Sequence, residues 1–164
     1  MAAALVTLTG LSVVGLAAGF VLALTAQTSA DISQHVLVAV FATTLNLFAH
    51  SLMMFYLLGK GGAVKEAIAE HGLQGDYMSR VTRLRGPVFS RATVAMVLTM
   101  AASIVGASVD VQVMPPWPHG VAAAAAVVLN VYALWTEVVA LLGTSRIVDE
   151  VNRRLIAVPV STGD

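Results

Sequence analysis

The sequence predicts an all-α polytopic membrane protein, a four-transmembrane-helix bundle built from two tandem, parallel-related helical hairpins. Three observations predict it. The 164-residue chain is 58% hydrophobic and only 11% charged, with mean hydropathy +0.85, whereas a soluble domain carries about 25% charged residues. Four apolar segments each reach the roughly 20 residues that a helix needs to cross about 30 Å of hydrocarbon. The second half of the chain also echoes the first at an offset of about 84 residues. Backbone groups in lipid have no water to pair with, so helix is the only conformation open to such segments.

The first span runs over about Ala4–Thr25. No Lys or Arg precedes it, so it lacks the basic region of a signal peptide and reads as a mature span. It carries Gly15-x-x-x-Gly19, a small-xxx-small motif that lets helices approach closely, and the repeat partners Thr99 and Ser103 are small too. These four residues are the predicted helix-packing surface. The second span covers about His35–Gly59. Gly59-Lys60-Gly61-Gly62 after it reads as a helix end and a flexible exit, followed by an amphipathic stretch over Ala63–His71. A loop over residues 60–86, punctuated by Gly72, Gly75 and Gly86, leads to the third span, about Pro87–Ser108. Pro115-Pro116-Trp117-Pro118 is a rigid turn into the fourth span, about Pro118–Gly143. A second amphipathic stretch follows at about Arg146–Leu155, where Asp149/Arg153 and Glu150/Arg154 have the favourable i,i+4 order. Both stretches are expected to lie on headgroups or dock a partner. The whole chain, 1–164, reads as one membrane domain, with repeat one over about 1–84 and repeat two over about 85–164.

All nine Lys and Arg fall on one side of this arrangement. Lys60, Lys65, Arg80, Arg83 and Arg85 lie between spans two and three, Arg91 just inside span three, and Arg146, Arg153 and Arg154 after span four. The positive-inside rule then puts that loop and both termini in the cytoplasm. The expected location is the bacterial cytoplasmic (inner) membrane. Trp117 and Trp135, near opposite ends of span four, have the placement of interfacial anchors.

In the repeat register Leu45-Asn46-Leu47-Phe48-Ala49 falls on Leu129-Asn130-Val131-Tyr132-Ala133, Leu57-Leu58-Gly59 on Leu141-Leu142-Gly143, and His35 on His119. Two hairpins of one orientation would be related by a pseudo-twofold axis along the membrane normal. His35 and His119 then share one depth near the outer face, and Asn46 and Asn130 share another near mid-membrane.

Ionisable groups within spans are costly and mark candidate function. His35 and His119 are candidate ligands for haem b or a metal, with Ala39 and Ala123 one turn away leaving room; the alternative is two interfacial histidines reaching water or headgroups. His50, one turn from Asn46, is a candidate haem ligand, quinone contact or proton-relay group; the alternative is a neutral imidazole bonded to Asn46, Asn130 or Thr99. A low-spin haem needs two axial ligands, and His50 has Leu134 as its repeat partner. Asn46, Thr99 and Asn130 form a polar layer inside the membrane. Arg91 and Glu137 are expected to form an ion pair between spans three and four. Their repeat partners are Thr7 and Met53, so the pair breaks the repeat, as His50 does.

Zero net charge gives no reason to expect nucleic acid as a partner. The absence of Cys excludes thiolate metal sites, iron–sulfur clusters and Cys nucleophiles. No catalytic constellation, phosphate loop or metal-ligand pair at helical spacing is present. The leading expectation is therefore an accessory or assembly subunit, or a homo-oligomer, with no catalytic site of its own and a membrane-protein partner or a second copy beside it. One alternative is a haem b-binding or quinone-interacting electron-transfer subunit. Another is an oligomeric small transporter or channel.

Overall fold

The computed structural model describes residues 1–157 and consists of α1 (Ala2–Thr25), α2 (Ser29–His71), α3 (Tyr77–Asp110) and α4 (Pro116–Ala157). All four helices are long and apolar enough to cross a membrane, and no strand occurs among the described residues. The chain is thus an all-α membrane protein folded as a four-helix bundle. Positions 158–164, the end of the second expected repeat, lie outside the described residues.

The distribution of side chains is that of a protein whose solvent is lipid. Large apolar residues such as Phe41, Phe48, Phe55, Val128 and Ile104 are exposed, while much of the interior is Ala, Ser, Thr, Asn and His, joined by larger side chains such as Met53, Leu57, Val88 and Ile147. Lipid tails are as apolar as Leu, so burying Leu gains little there, and close approach of small residues is what holds helices together. Gly15 lies against Ala42, where an added Cβ would come within 3.0 Å of the Ala42 Cβ, and Gly19 lies against Ala39. These contacts close α1 onto α2. Thr99 and Ser103 instead serve α3 through hydrogen bonds, Ser103 Oγ lying 3.2 Å from Thr43 Oγ1 on α2.

The helix ends are set locally. Thr28 caps α2, its hydroxyl accepting from the Asp31 N–H at 3.2 Å while the Asp31 carboxylate accepts from the Thr28 N–H at 2.8 Å. This reciprocal capping box satisfies otherwise unpaired amides. Gly72 ends α2 in the left-handed region, φ 59°, and its N–H bonds back to the Ile68 carbonyl. Pro116 opens α4, where the missing N–H costs nothing.

Within the bundle the two hairpins α1–α2 and α3–α4 make the most extensive contacts, and α2 also touches both α3 and α4. No contact joins α1 to α3 among the described residues. The pair α2 and α4 therefore lies on the short diagonal, and side chains on their facing surfaces meet at the bundle centre.

The segment between spans two and three differs from the sequence expectation. Instead of a flexible exit and a loop over 60–86, α2 continues unbroken through Gly59-Lys60-Gly61-Gly62 to His71, and α3 begins at Tyr77 with Gly86 and Pro87 inside it. The turn spans only 72–76. The cause is packing beyond the spans. Val64, Tyr77, Val81, Ile147 and Val151 form a second apolar cluster between the three helix extensions. Burying such side chains from water stabilises by about 1.5–3 kcal/mol each. That exceeds the cost of about 1 kcal/mol per helical Gly and about 3 kcal/mol for Pro87. Gly61 fits under Val81 and Arg85, and Gly143 under Leu84. Arg80 ties α3 to α4, donating to Glu150 Oε2 at 2.9 Å.

Candidate functional site

Two polar features occupy the diagonal between α2 and α4. The first is a buried network at mid-bundle. Asn46, His50, Asn130 and Glu137 are each 0% exposed. Asn130 is the hub. Its Nδ2 donates to the Ala126 carbonyl at 2.7 Å and to Thr99 Oγ1 at 2.8 Å. A carbonyl can only accept, so the amide orientation is fixed and Asn130 Oδ1 faces the other way. There it accepts from Asn46 Nδ2 at 2.8 Å and lies 2.9 Å from His50 Nε2. His50 Nε2 therefore carries a hydrogen. The other ring nitrogen, Nδ1, lies 2.6 Å from Glu137 Oε1. Asn46 Nδ2 also donates to Ser12 Oγ on α1 at 3.2 Å, and Ser12 donates to the Thr9 carbonyl at 2.8 Å. Among the described residues two buried side-chain oxygens have no partner, Glu137 Oε2 and Asn46 Oδ1.

The ion pair expected between Arg91 and Glu137 is not formed. Glu137 takes His50 instead, and Arg91 donates to Thr136 Oγ1 at 2.9 Å with its guanidinium 4.5 Å from the centre of the Tyr132 ring. Thr136 and Glu137 are successive residues, so they point about 100° apart around α4. Thr136 is on the side that Arg91 reaches, and Glu137 is on the diagonal facing α2. Both ring nitrogens of His50 are engaged, which leaves none for iron. That removes His50 as a ligand in this arrangement.

The second feature is a cavity of about 460 Å³ at the short-turn end of the bundle, enclosed by all four helices. Its wall is mostly small residues, including Gly19, Ala39, Ala102, Gly106 and Ala123, and it contains both His35 and His119. His35 Nδ1 lies 2.8 Å from the Gly19 carbonyl and His119 Nδ1 lies 3.0 Å from the Ala102 carbonyl. Each carbonyl can only accept, so both Nδ1 atoms are donors, and a neutral ring then has its lone pair on Nε2. The ring centroids are 6.0 Å apart with planes inclined at 66°. Gly106 is required here because a Cβ at that position would come within 2.8 Å of His119 Cε1. Thr99 belongs to both features: it lines the cavity and bonds to Asn130.

The repeat register puts His35 and His119 at one depth and Asn46 and Asn130 at another; in the structure the rings of His35 and His119 lie 6.0 Å apart and Asn46 Nδ2 donates to Asn130 Oδ1 at 2.8 Å. Sequence reasoning missed the contact between His50 and Glu137. The signal was present: both residues break the repeat, both lie in the basic half of their spans, and a buried carboxylate needs a donor. Gly106 was missed because its role depends on the ring above it. Among the described residues no group of three or more His, Asp or Glu could hold a metal ion. Comparison with protein-family models, with curated proteins and with solved structures yields no match.

Proposed function

We propose that this protein is a haem b-binding electron-transfer subunit of a bacterial cytoplasmic membrane, with His35 and His119 as the axial ligands. The observation that carries the reading is the geometry of that pair. Metal-ligating histidines characteristically donate the second ring N–H to a carbonyl, which fixes the tautomer and aims the other nitrogen at the metal. His35 and His119 both do so. Two imidazoles on one ion, with metal–nitrogen bonds of about 2.0–2.1 Å, set their ring centroids roughly 6 Å apart, and here the separation is 6.0 Å. Two imidazoles are too few for a bare zinc ion, which takes four ligands. They are the number a haem iron needs beyond its tetrapyrrole. The cavity wall beside the two rings is built of small residues, among them Gly19, Ala39, Gly106 and Ala123.

The rest of the reading is consistent with this site. Tandem duplication is supported by the matched contacts of His35 and His119 with the preceding helix and by the bond between Asn46 and Asn130. The gathering of all nine Lys and Arg toward one end supports cytoplasmic termini. A single haem near the opposite face needs a redox partner, so the protein is read as an accessory subunit beside another membrane protein or a second copy. A quinol could instead donate to the same Nε2 atoms. A visible spectrum of protein purified from haem-replete cells separates these. A low-spin b-type spectrum is expected, and a colourless protein removes the haem reading.

A further inference from the structure

The mid-bundle network carries an inference that goes beyond haem binding and does not depend on it. We propose that Glu137 and His50 form an exchangeable proton-binding site within the membrane. The hydrogen-bond polarity defines its resting state. His50 Nε2 holds a hydrogen because it faces the accepting Asn130 Oδ1. The short contact between His50 Nδ1 and Glu137 Oε1, 2.6 Å, then holds one further hydrogen between the two atoms. Imidazole and carboxyl together carry no net charge, whichever atom that hydrogen sits on. A neutral unit is the arrangement that a bilayer interior tolerates. Glu137 Oε2 is left over, fully buried and without a partner. A lone carboxylate oxygen in that setting is costly to leave unsatisfied, and it is the atom on which an added proton would sit. Uptake gives Nε2–H, Nδ1–H and Oε2–H, so the pair passes from neutral to singly positive and nothing else changes.

The surroundings favour this chemistry. From α1 the pair is approached by Thr9 and Ser12, from α2 by Asn46, and from α3 by Thr99, none of which titrates. Arg91 on α3 is held by Thr136 and Tyr132. Asn130 accepts from His50 and donates to Thr99, so it holds the imidazole in place without itself exchanging a proton. Toward the basic end lies an apolar cluster of Leu5, Met53, Leu57, Val88, Ala140 and Leu141, with the Tyr56 side chain packed against it.

Infrared difference spectroscopy on the full-length protein in nanodiscs, purified without added haem, tests this. Acidification is expected to raise a protonated-carboxyl band that shifts in D2O and is absent from Glu137→Gln. His50→Gln should keep the band and move its pH midpoint. Absence of the band in the wild type, or its persistence in Glu137→Gln, overturns the proton site. Because the protein contains no haem in this experiment, neither outcome depends on the haem reading.

Discussion

Replacing Asn130 by Leu, which keeps the branch at Cγ and removes both polar atoms, should destabilise the bundle more than any other single change at mid-membrane. The magnitude follows from four bonds. Asn130 donates to Thr99 and to the Ala126 carbonyl and accepts from Asn46 and His50. A side-chain hydrogen bond inside a membrane averages about 0.6 kcal/mol, so four amount to roughly 2.4 kcal/mol. The losses are not equal in their consequences. Asn46 retains Ser12, and Thr99 retains the Ala95 carbonyl. His50 Nε2–H has no second acceptor, and stranding one buried donor adds about 1–3 kcal/mol. The total is about 3–5 kcal/mol. Unfolding by sodium dodecyl sulfate in mixed micelles, followed by the fluorescence of Trp117 and Trp135, measures it. Asn46→Leu removes two bonds and strands no donor, so it should cost roughly 1–2 kcal/mol. A loss below about 1 kcal/mol for Asn130→Leu, or equal losses for the two variants, would refute the hub assignment.

Gly106→Ala pushes His119 Cε1 from a 2.8 Å approach; overpacking of this kind costs about 1–3 kcal/mol, and haem affinity should fall about tenfold or more on titration with hemin. Gly143→Ala meets only the flexible end of Leu84 and should cost less than about 1 kcal/mol in the same unfolding assay. Arg91→Gln and Glu137→Gln should be additive in a double-mutant cycle, whereas His50→Gln and Glu137→Gln should couple by about 0.5–3 kcal/mol. Asp31, outside the spans, is held below the ordinary carboxylate value of 3.8 by the Gln27 N–H, then by the Thr28 hydroxyl and N–H. Its contribution is therefore fully present above that value and lost as pH falls through the lower folded value; Asp31→Asn should flatten that acid limb in a thermal-shift titration.

The bundle was legible in the sequence because length and apolarity are sufficient to define a membrane helix. Helix continuity beyond the spans was not. Gly59, Gly61, Gly62, Gly86 and Pro87 are strong local breakers, and only the apolar contacts among Val64, Val81, Ile147 and Val151, which are distant in sequence, overrule them. At the site, the internal offset identified His35 with His119 and Asn46 with Asn130 without any structure. The partner of Glu137 was misassigned because depth was judged along each span and not by angle around it. Arg91 and His50 lie at comparable depths, and the face of α4 that Glu137 occupies decides between them.

The central claim is that His35 and His119 jointly hold one iron tetrapyrrole. Titration of the purified protein with hemin, read by absorption and electron paramagnetic resonance, tests it most directly. The account predicts one haem per chain in a six-coordinate low-spin state, lost in His35→Ala and in His119→Ala alike, and retained in His50→Gln. A low-spin spectrum that survives both cavity variants, or that disappears only with His50, would contradict it.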